Sequence, residues 1–148
     1  MGRIVGIDFG KRRIGIAITD PDQTLAMPFK TAKATDDLNF SVSSVLDALK
    51  DHLKEIEHVV IGLPLLLTGE EGDMALLVKK FADLLQEKTN IPFTLWDERL
   101  SSAHATALLK EVNLSRKKRS RILDEATASL LLQNYLDCQQ FSIPPIRE

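Results

Sequence analysis

The stretch HVVIGLP, residues 58–64, is a short apolar run with no polar alternation. Such a run marks a strand buried on both faces, and a chain can bury both faces only in a sheet covered on both sides. The neighbouring segments supply the cover. Leu38, Val42, Val45, Leu46, Leu49 and Leu53 recur at helical spacing, with Asp36 and Asp37 expected in the first turn. Met74, Leu77, Val78, Phe81, Leu84 and Leu85 do the same within an expected helix over 74–88, beyond the loop LLTGEEGD. IPFTLWDE, 91–98, is a further strand that ends in carboxylates.

Upstream, RIVGID (3–8) and IGIAIT (14–19) flank a short polar turn, the pattern of a hairpin. A third apolar piece, Leu25 to Thr31, carries Pro28 and therefore suits a sheet edge. Downstream, a helix is expected over Ala103 to Val112, then the charged connection NLSRKKRSR, then a largely buried helix from Ile122 to Leu136. Pro144 and Pro145 prevent the tail from continuing that helix. The order βββαβαβαα predicts an α/β fold of ribonuclease H-like type: a mixed five-stranded sheet flanked by helices on both faces. The chain of 148 residues is expected to form one domain, 1–138, followed by a C-terminal tail, 139–148.

Three segments far apart in sequence each place an acid at the end of an element. Asp8 ends the first strand, Asp97 and Glu98 end the last, and Asp124 is expected in the first turn of the final helix. Each has a local explanation as a turn former, a partner of Arg99 or a favourable charge at a helix start. If the ends converge, however, the carboxylates repel one another and need a cation. Hard oxygen donors suit Mg²⁺ or Mn²⁺, and two such ions about 4 Å apart clamp an in-line phosphoryl displacement. Zinc is not expected, because His52, His58 and His104 show no ligand spacing and Cys138 is the single cysteine. His52 and His58 are expected at the surface around the first helix, while His104 lies beside the acidic strand end with its role open.

Cations accompany the acids. Gly10 precedes Lys11, Arg12 and Arg13 at the hairpin tip, and RKKRSR (116–121) has five basic residues in six, namely Arg116, Lys117, Lys118, Arg119 and Arg121. A basic run is commonly a solvated surface. Beside a carboxylate cluster it would anchor phosphates on either side of the reacting one. The formal net charge is −2, so the cations are local and the chain is not coated with them. Trp96 is the only tryptophan, which argues for recognition of backbone shape over base stacking.

The stretches GIDFGKRRIGIAITD, VVIGLPLLLTGEEG, LWDERLSS and SRKKRSRILDEATASLLLQNYLD together resemble the YqgF (RuvX) family, a group of Holliday junction resolvase-like proteins and pre-16S rRNA nucleases. The DERL block and the late I-D-x-x-x-A segment, in which Leu123 stands between Ile122 and Asp124 here, are the specific ones. The resemblance implies a metal-dependent phosphodiesterase of ribonuclease H-like fold, with catalytic and metal-binding acids at Asp8, Glu98 and Asp124. It also implies nucleic-acid contacts near Arg12, Arg13 and Arg99, and ribosomal precursor particles among the partners. One departure is clear: relatives carry polar residues after the G-L-P, where this chain has Leu66 and Thr68. Gly62, Pro64 and Gly69 are kept, so the departure bears on substrate choice more than on the metal site.

The expected function is endonucleolytic processing of the 5′ end of pre-16S rRNA. The alternatives are resolution of Holliday junctions, and nucleic-acid binding without catalysis. An actin-like phosphotransferase, which also begins with a G-I-D-x-G strand, needs two lobes where 148 residues supply one. RNA and DNA, and monomer and homodimer, stay open. The lone cysteine suggests a reducing compartment, and the first apolar run, broken by Asp8, does not resemble a signal peptide. A cytoplasmic protein with no membrane segment is expected.

Overall fold

The structure is a computed structural model that describes residues 2–64, 68–97 and 116–141, with only the backbone described at 116–123 and 140–141. Five strands form one sheet in the order β3-β2-β1-β4-β5. They are β1 (Arg3–Phe9), β2 (Arg13–Thr19), β3 (Ala26–Lys33), β4 (Ile56–Leu63) and β5 (Phe93–Asp97). The first three are antiparallel neighbours, while β4 pairs in parallel with both β1 and β5. The mixed sheet is the expected one, and the HVVIGLP run lies in its interior, with Val59 through Gly62 buried.

β3 is an edge strand, as Pro28 requires. Ile16 pairs with Lys30 and Ala17 with Pro28, which leaves Phe29 as an extra residue in a bulge beside the proline.

Alternation along β1 and β2 divides the core unequally. Val5, Ile7 and Phe9, with Ile14, Ile16 and Ile18, point to one face. There they meet α1 (Leu38–Leu49) and α2 (Asp73–Thr89) through Val42, Val45, Val78 and Phe81. The other face carries small residues on β2, Gly15 and Ala17, and is covered by α3 (Arg116–Phe141) through Ala128, Leu131 and Leu132. Each fully buried leucine of this kind contributes about 1.5–3 kcal/mol by leaving water. No helix among the described residues is long and apolar enough to cross a membrane.

Four expectations are corrected. Asp37 precedes α1 as its N-cap, accepting a 3.0 Å bond from the Asn39 amide, so neither Asp36 nor Asp37 belongs to the first turn. The basic segment is not a connection: α3 begins at Arg116 and includes it. Arg and Lys are good helix formers, and no Gly or Pro interrupts 116–141. Among its described side chains, α3 is buried along one stripe, Thr127, Ala128, Leu131, Leu132 and Leu136, and not all round. It also runs to Phe141, beyond the expected helix end at Leu136. The helix expected over 103–112 lies outside the described residues.

Candidate active site

β1, β4 and β5 are parallel, so their carboxyl ends share one edge of the sheet. Asp8 lies next to the end of β1, and Asp97 is the last residue of β5. The two expected strand-end acids therefore do lie at one edge, two strands apart, or roughly 10 Å.

Pleating decides which face each acid occupies. Ile4 belongs to the α3-side core, and Asp8 follows it by four residues, on the same side. Asp8 pairs directly with Gly15 of β2. The carbonyl oxygen of Asp124 occupies the place a Cβ on Gly15 would need, so the α3 backbone is seated on that glycine. Cross-strand partners have Cα atoms about 4.5–5.5 Å apart. The Asp124 backbone, separated from Asp8 by most of the sequence, thus lies over the strand partner of Asp8 on the same face of the sheet. Asp124 is not in the first turn of its helix; it is the ninth residue of α3, because that helix starts earlier than expected.

Asp97 has the opposite orientation. It pairs with Leu63 and follows Phe93 and Leu95, all of which pack toward α1 and α2. Trp96, between them, packs on the α3 side and donates its indole N–H to Asn134 Oδ1 at 3.0 Å. This bond ties the end of β5 to α3. Glu98, Arg99 and His104 lie outside the described residues.

The cations divide. Lys11 and Arg12 are exposed at the hairpin tip. Gly10 is required there, since a Cβ would collide with the Arg13 carbonyl oxygen. Arg13 turns back instead, and its Nε donates to Asp124 Oδ2 at 2.7 Å. Arg116, Lys117, Lys118, Arg119 and Arg121 fall on the two turns of α3 that precede Asp124, their side chains outside the described set.

Several neighbours escape a sequence reading. Lys33 is the cross-strand partner of Arg13 and adds an exposed cation to the same edge. Thr31, partner of Gly15, donates its hydroxyl to Glu125 Oε2 at 2.9 Å. The only advance signal is the small-residue stripe Gly15/Ala17 within IGIAIT, which marks where a helix can come close. At the following loop, the Thr68 hydroxyl closes a local turn with Glu70 and Gly69 adopts φ +88°, while Leu66 lies outside the described residues.

The donor set at this edge is carboxylate oxygen, as hard divalent cations prefer. Among the described residues no group of three His, Cys, Asp or Glu is arranged to hold a metal; Asp8 and Asp124 are two, and Glu98 is not described. Among the described residues, nitrogen and sulfur donors lie elsewhere. His52 sits near Glu55, and Cys138 is exposed toward the far end of α3. His58 corrects an expectation. It is a β4 residue on the α3 side, half-buried against Tyr135 and hydrogen-bonded to Thr94 at 2.7 Å.

The family model described as RuvX: Holliday junction resolvase matches residues 2–138. A chain from Protochlamydia amoebophila named "Putative pre-16S rRNA nuclease" is 45% identical over 139 residues, 91% of this chain and 93% of its own length. One of the same name from Endomicrobium trichonymphae is 42% identical over 140 residues, 94% of this chain and 98% of its own. Among solved structures, T. thermophilus RuvC in complex with Holliday junction substrate superposes with a TM-score of 0.58 at 12% identity, covering 95% of this chain and 97% of that one. At such identity the likeness concerns the fold, which is the ribonuclease H-like architecture.

Proposed function

The chain belongs to the RuvX family, matched over residues 2–138, and from that premise we propose that it is a metal-dependent endonuclease of structured nucleic acid whose substrate is the precursor of 16S ribosomal RNA. The observation that carries the nuclease assignment is the seating of Asp124 on Gly15, the strand partner of Asp8. It brings the Asp124 backbone over the strand partner of Asp8, at a sheet edge that also presents Lys11, Arg12 and Lys33. The choice of RNA rests on the relatives' names.

Asp8 and Asp124, with Glu98 as the third acid, would hold Mg²⁺ or Mn²⁺. Bound there, such ions activate water and stabilise the leaving oxygen in an in-line displacement. The protein's own part is positioning and charge. Two carboxylates alone would repel a phosphodiester, and the surrounding cations offset that repulsion. Lys11 and Arg12 project from the hairpin tip and serve as anchors for phosphates beside the scissile one. Arg13 pairs with Asp124, and a cation drawing on the same carboxylate would release the arginine toward phosphate. Arg99 and the basic first turns of α3 extend the same anchoring. Asp97 packs on the side of α1 and α2, away from the face of Asp8, and this supports Glu98 over Asp97 as the third acid.

Junction resolution is the second reading, favoured by the family's description and by the RuvC fold. It requires two active sites on two strands and hence a dimer, whereas a single RNA cut needs only a monomer. The deciding experiment offers the purified protein, with Mg²⁺ or Mn²⁺, a 16S precursor carrying its 5′ leader and a four-way DNA junction. Cleavage of the precursor with the junction intact is expected. Symmetric junction cleavage by a dimer, with the precursor untouched, would reverse the assignment. Binding of either without cleavage under both metals would make the protein a maturation factor.

A further inference from the structure

Asp8, Gly15 and Thr31 form one row across three adjacent strands, since Gly15 pairs with Asp8 on one side and with Thr31 on the other. α3 crosses this row at consecutive residues. Asp124 lies on Gly15, and Glu125 accepts the Thr31 hydroxyl at 2.9 Å on the β3 side. Neighbouring residues on a helix stand about 100° apart around its axis. The Thr31 bond, by holding Glu125 toward β3, therefore fixes the rotation that leaves Asp124 over β2, beside β1.

Depth is fixed separately. A Cβ on Gly15 would run into the Asp124 backbone itself, which cannot swing aside as a flexible side chain can. A second seat exists at Gly6, where a Cβ would meet Leu132 at 2.8 Å.

We infer that Gly15 and Thr31 are positioning residues of the metal site: Gly15 sets the depth of α3 on the sheet, and Thr31, acting through Glu125, sets its rotation, so that Asp124 is the carboxylate delivered to Asp8. This rests on the proposal that Asp8 and Asp124 hold a divalent cation. Neither positioning residue needs to touch metal or substrate. Partners that orient metal ligands typically change affinity by about 10–100-fold when removed.

The test measures Mn²⁺ affinity of the full chain without substrate, by the loss of the free-ion electron paramagnetic resonance signal. Wild type is compared with Thr31→Val, Thr31→Ser, Gly15→Ala and Asp8→Asn, with circular dichroism and melting temperature confirming the fold. Thr31→Val keeps shape and removes the donor, so it should weaken Mn²⁺ binding about tenfold or more. Thr31→Ser should restore it. The metal concentration for half-maximal cleavage should rise in Thr31→Val, while the rate at saturating Mn²⁺ returns toward wild type. Gly15→Ala should weaken binding further; if it does not fold, the threonine pair decides alone. Wild-type affinity in Thr31→Val, or equal loss in the serine and valine variants, would overturn the positioning role. Equal Mn²⁺ binding by wild type and Asp8→Asn would instead overturn the acid site, and this inference with it.

Discussion

Arg13 and Asp124, 111 residues apart, are joined by a 2.7 Å bond from the guanidinium Nε to a carboxylate oxygen. Arg13 is about half exposed and Asp124 largely covered. An ion pair of this exposure contributes at most about 1 kcal/mol to folding. At the proposed metal site its consequence would be functional, because the arginine and a divalent cation would draw on the same carboxylate.

Replacing Arg13 should separate metal binding from nucleic-acid binding. Arg13→Ala removes a competitor for Asp124, so Mn²⁺ affinity without substrate should hold or rise. Affinity for the RNA precursor should fall, and the salt dependence should lose roughly one phosphate contact from its slope. A titration in which Arg13→Ala loses metal while keeping RNA would show that the arginine supports the metal site only.

Asp97 and its sequence neighbour Glu98 should behave differently. Asp97 is turned toward α1 and α2, on the side of Leu63 and Leu95. Glu98→Gln should keep RNA binding and lose cleavage by roughly 10²-fold or more, the several kcal/mol that a metal supplies to the transition state. Asp97→Asn should cost far less in rate. Single-turnover cleavage of both variants checks this, and the reverse order would place Asp97 at the metals.

The basic turns of α3 should serve binding and not chemistry. Removing the charges of Arg116, Lys117, Lys118 and Arg119 should weaken RNA affinity and flatten its salt dependence, with much less change in turnover at saturating RNA. A variant that binds normally and cannot cleave would assign these residues to the catalytic apparatus.

Acid should destabilise the fold in two separable stages. Burial lowers the His58 pKa below its ordinary 6.5, with Glu57 partly opposing. The folded state therefore resists protonation there. The contribution is complete above about pH 6.5 and is lost as pH falls from that value through the folded pKa. Asp20 accepts bonds from the Thr24 hydroxyl and from the Thr24 and Leu25 amides, and these hold its pKa at about 2 against an ordinary 3.8. Its contribution is complete above about 3.8 and disappears as pH falls through about 2. Melting temperatures across pH should show His58→Gln flattening the first stage and Asp20→Asn the second. Parallel curves for His58→Gln and wild type below pH 6.5 would contradict the first assignment.

The sheet was legible because its strands use two distinct patterns. HVVIGLP is continuous and lies between neighbours, while the Ile residues of IGIAIT alternate with small ones and divide the two faces. Pro28 announced the edge through its missing amide. The start of α3 was not legible, because charge density suggested a solvated loop while Arg and Lys are also good helix formers. That error placed Asp124 in a first turn, although its backbone still lies on Gly15, the strand partner of Asp8. The roles of Gly15, Thr31 and Glu125 were hidden for a different reason. Each depends on which helix residue comes down on which strand residue, and periodicity within one segment does not carry that. His58 was expected at the surface near the first helix because a polar residue opens the apolar run, when its ring lies between Thr94 and Tyr135.

The central claim is that Asp8 and Asp124 share a divalent cation that cuts RNA. The most direct measurement is Mg²⁺-dependent cleavage of the 16S precursor by wild type, Asp8→Asn and Asp124→Asn, alongside RNA affinity in the same buffer. Wild type should cut only with Mg²⁺ or Mn²⁺. Both variants should bind the precursor at least as tightly, having lost a charge that repels phosphate, and should cut it at least about 10²-fold more slowly. Undiminished cleavage by either variant, or cleavage by wild type in excess chelator, would contradict the account.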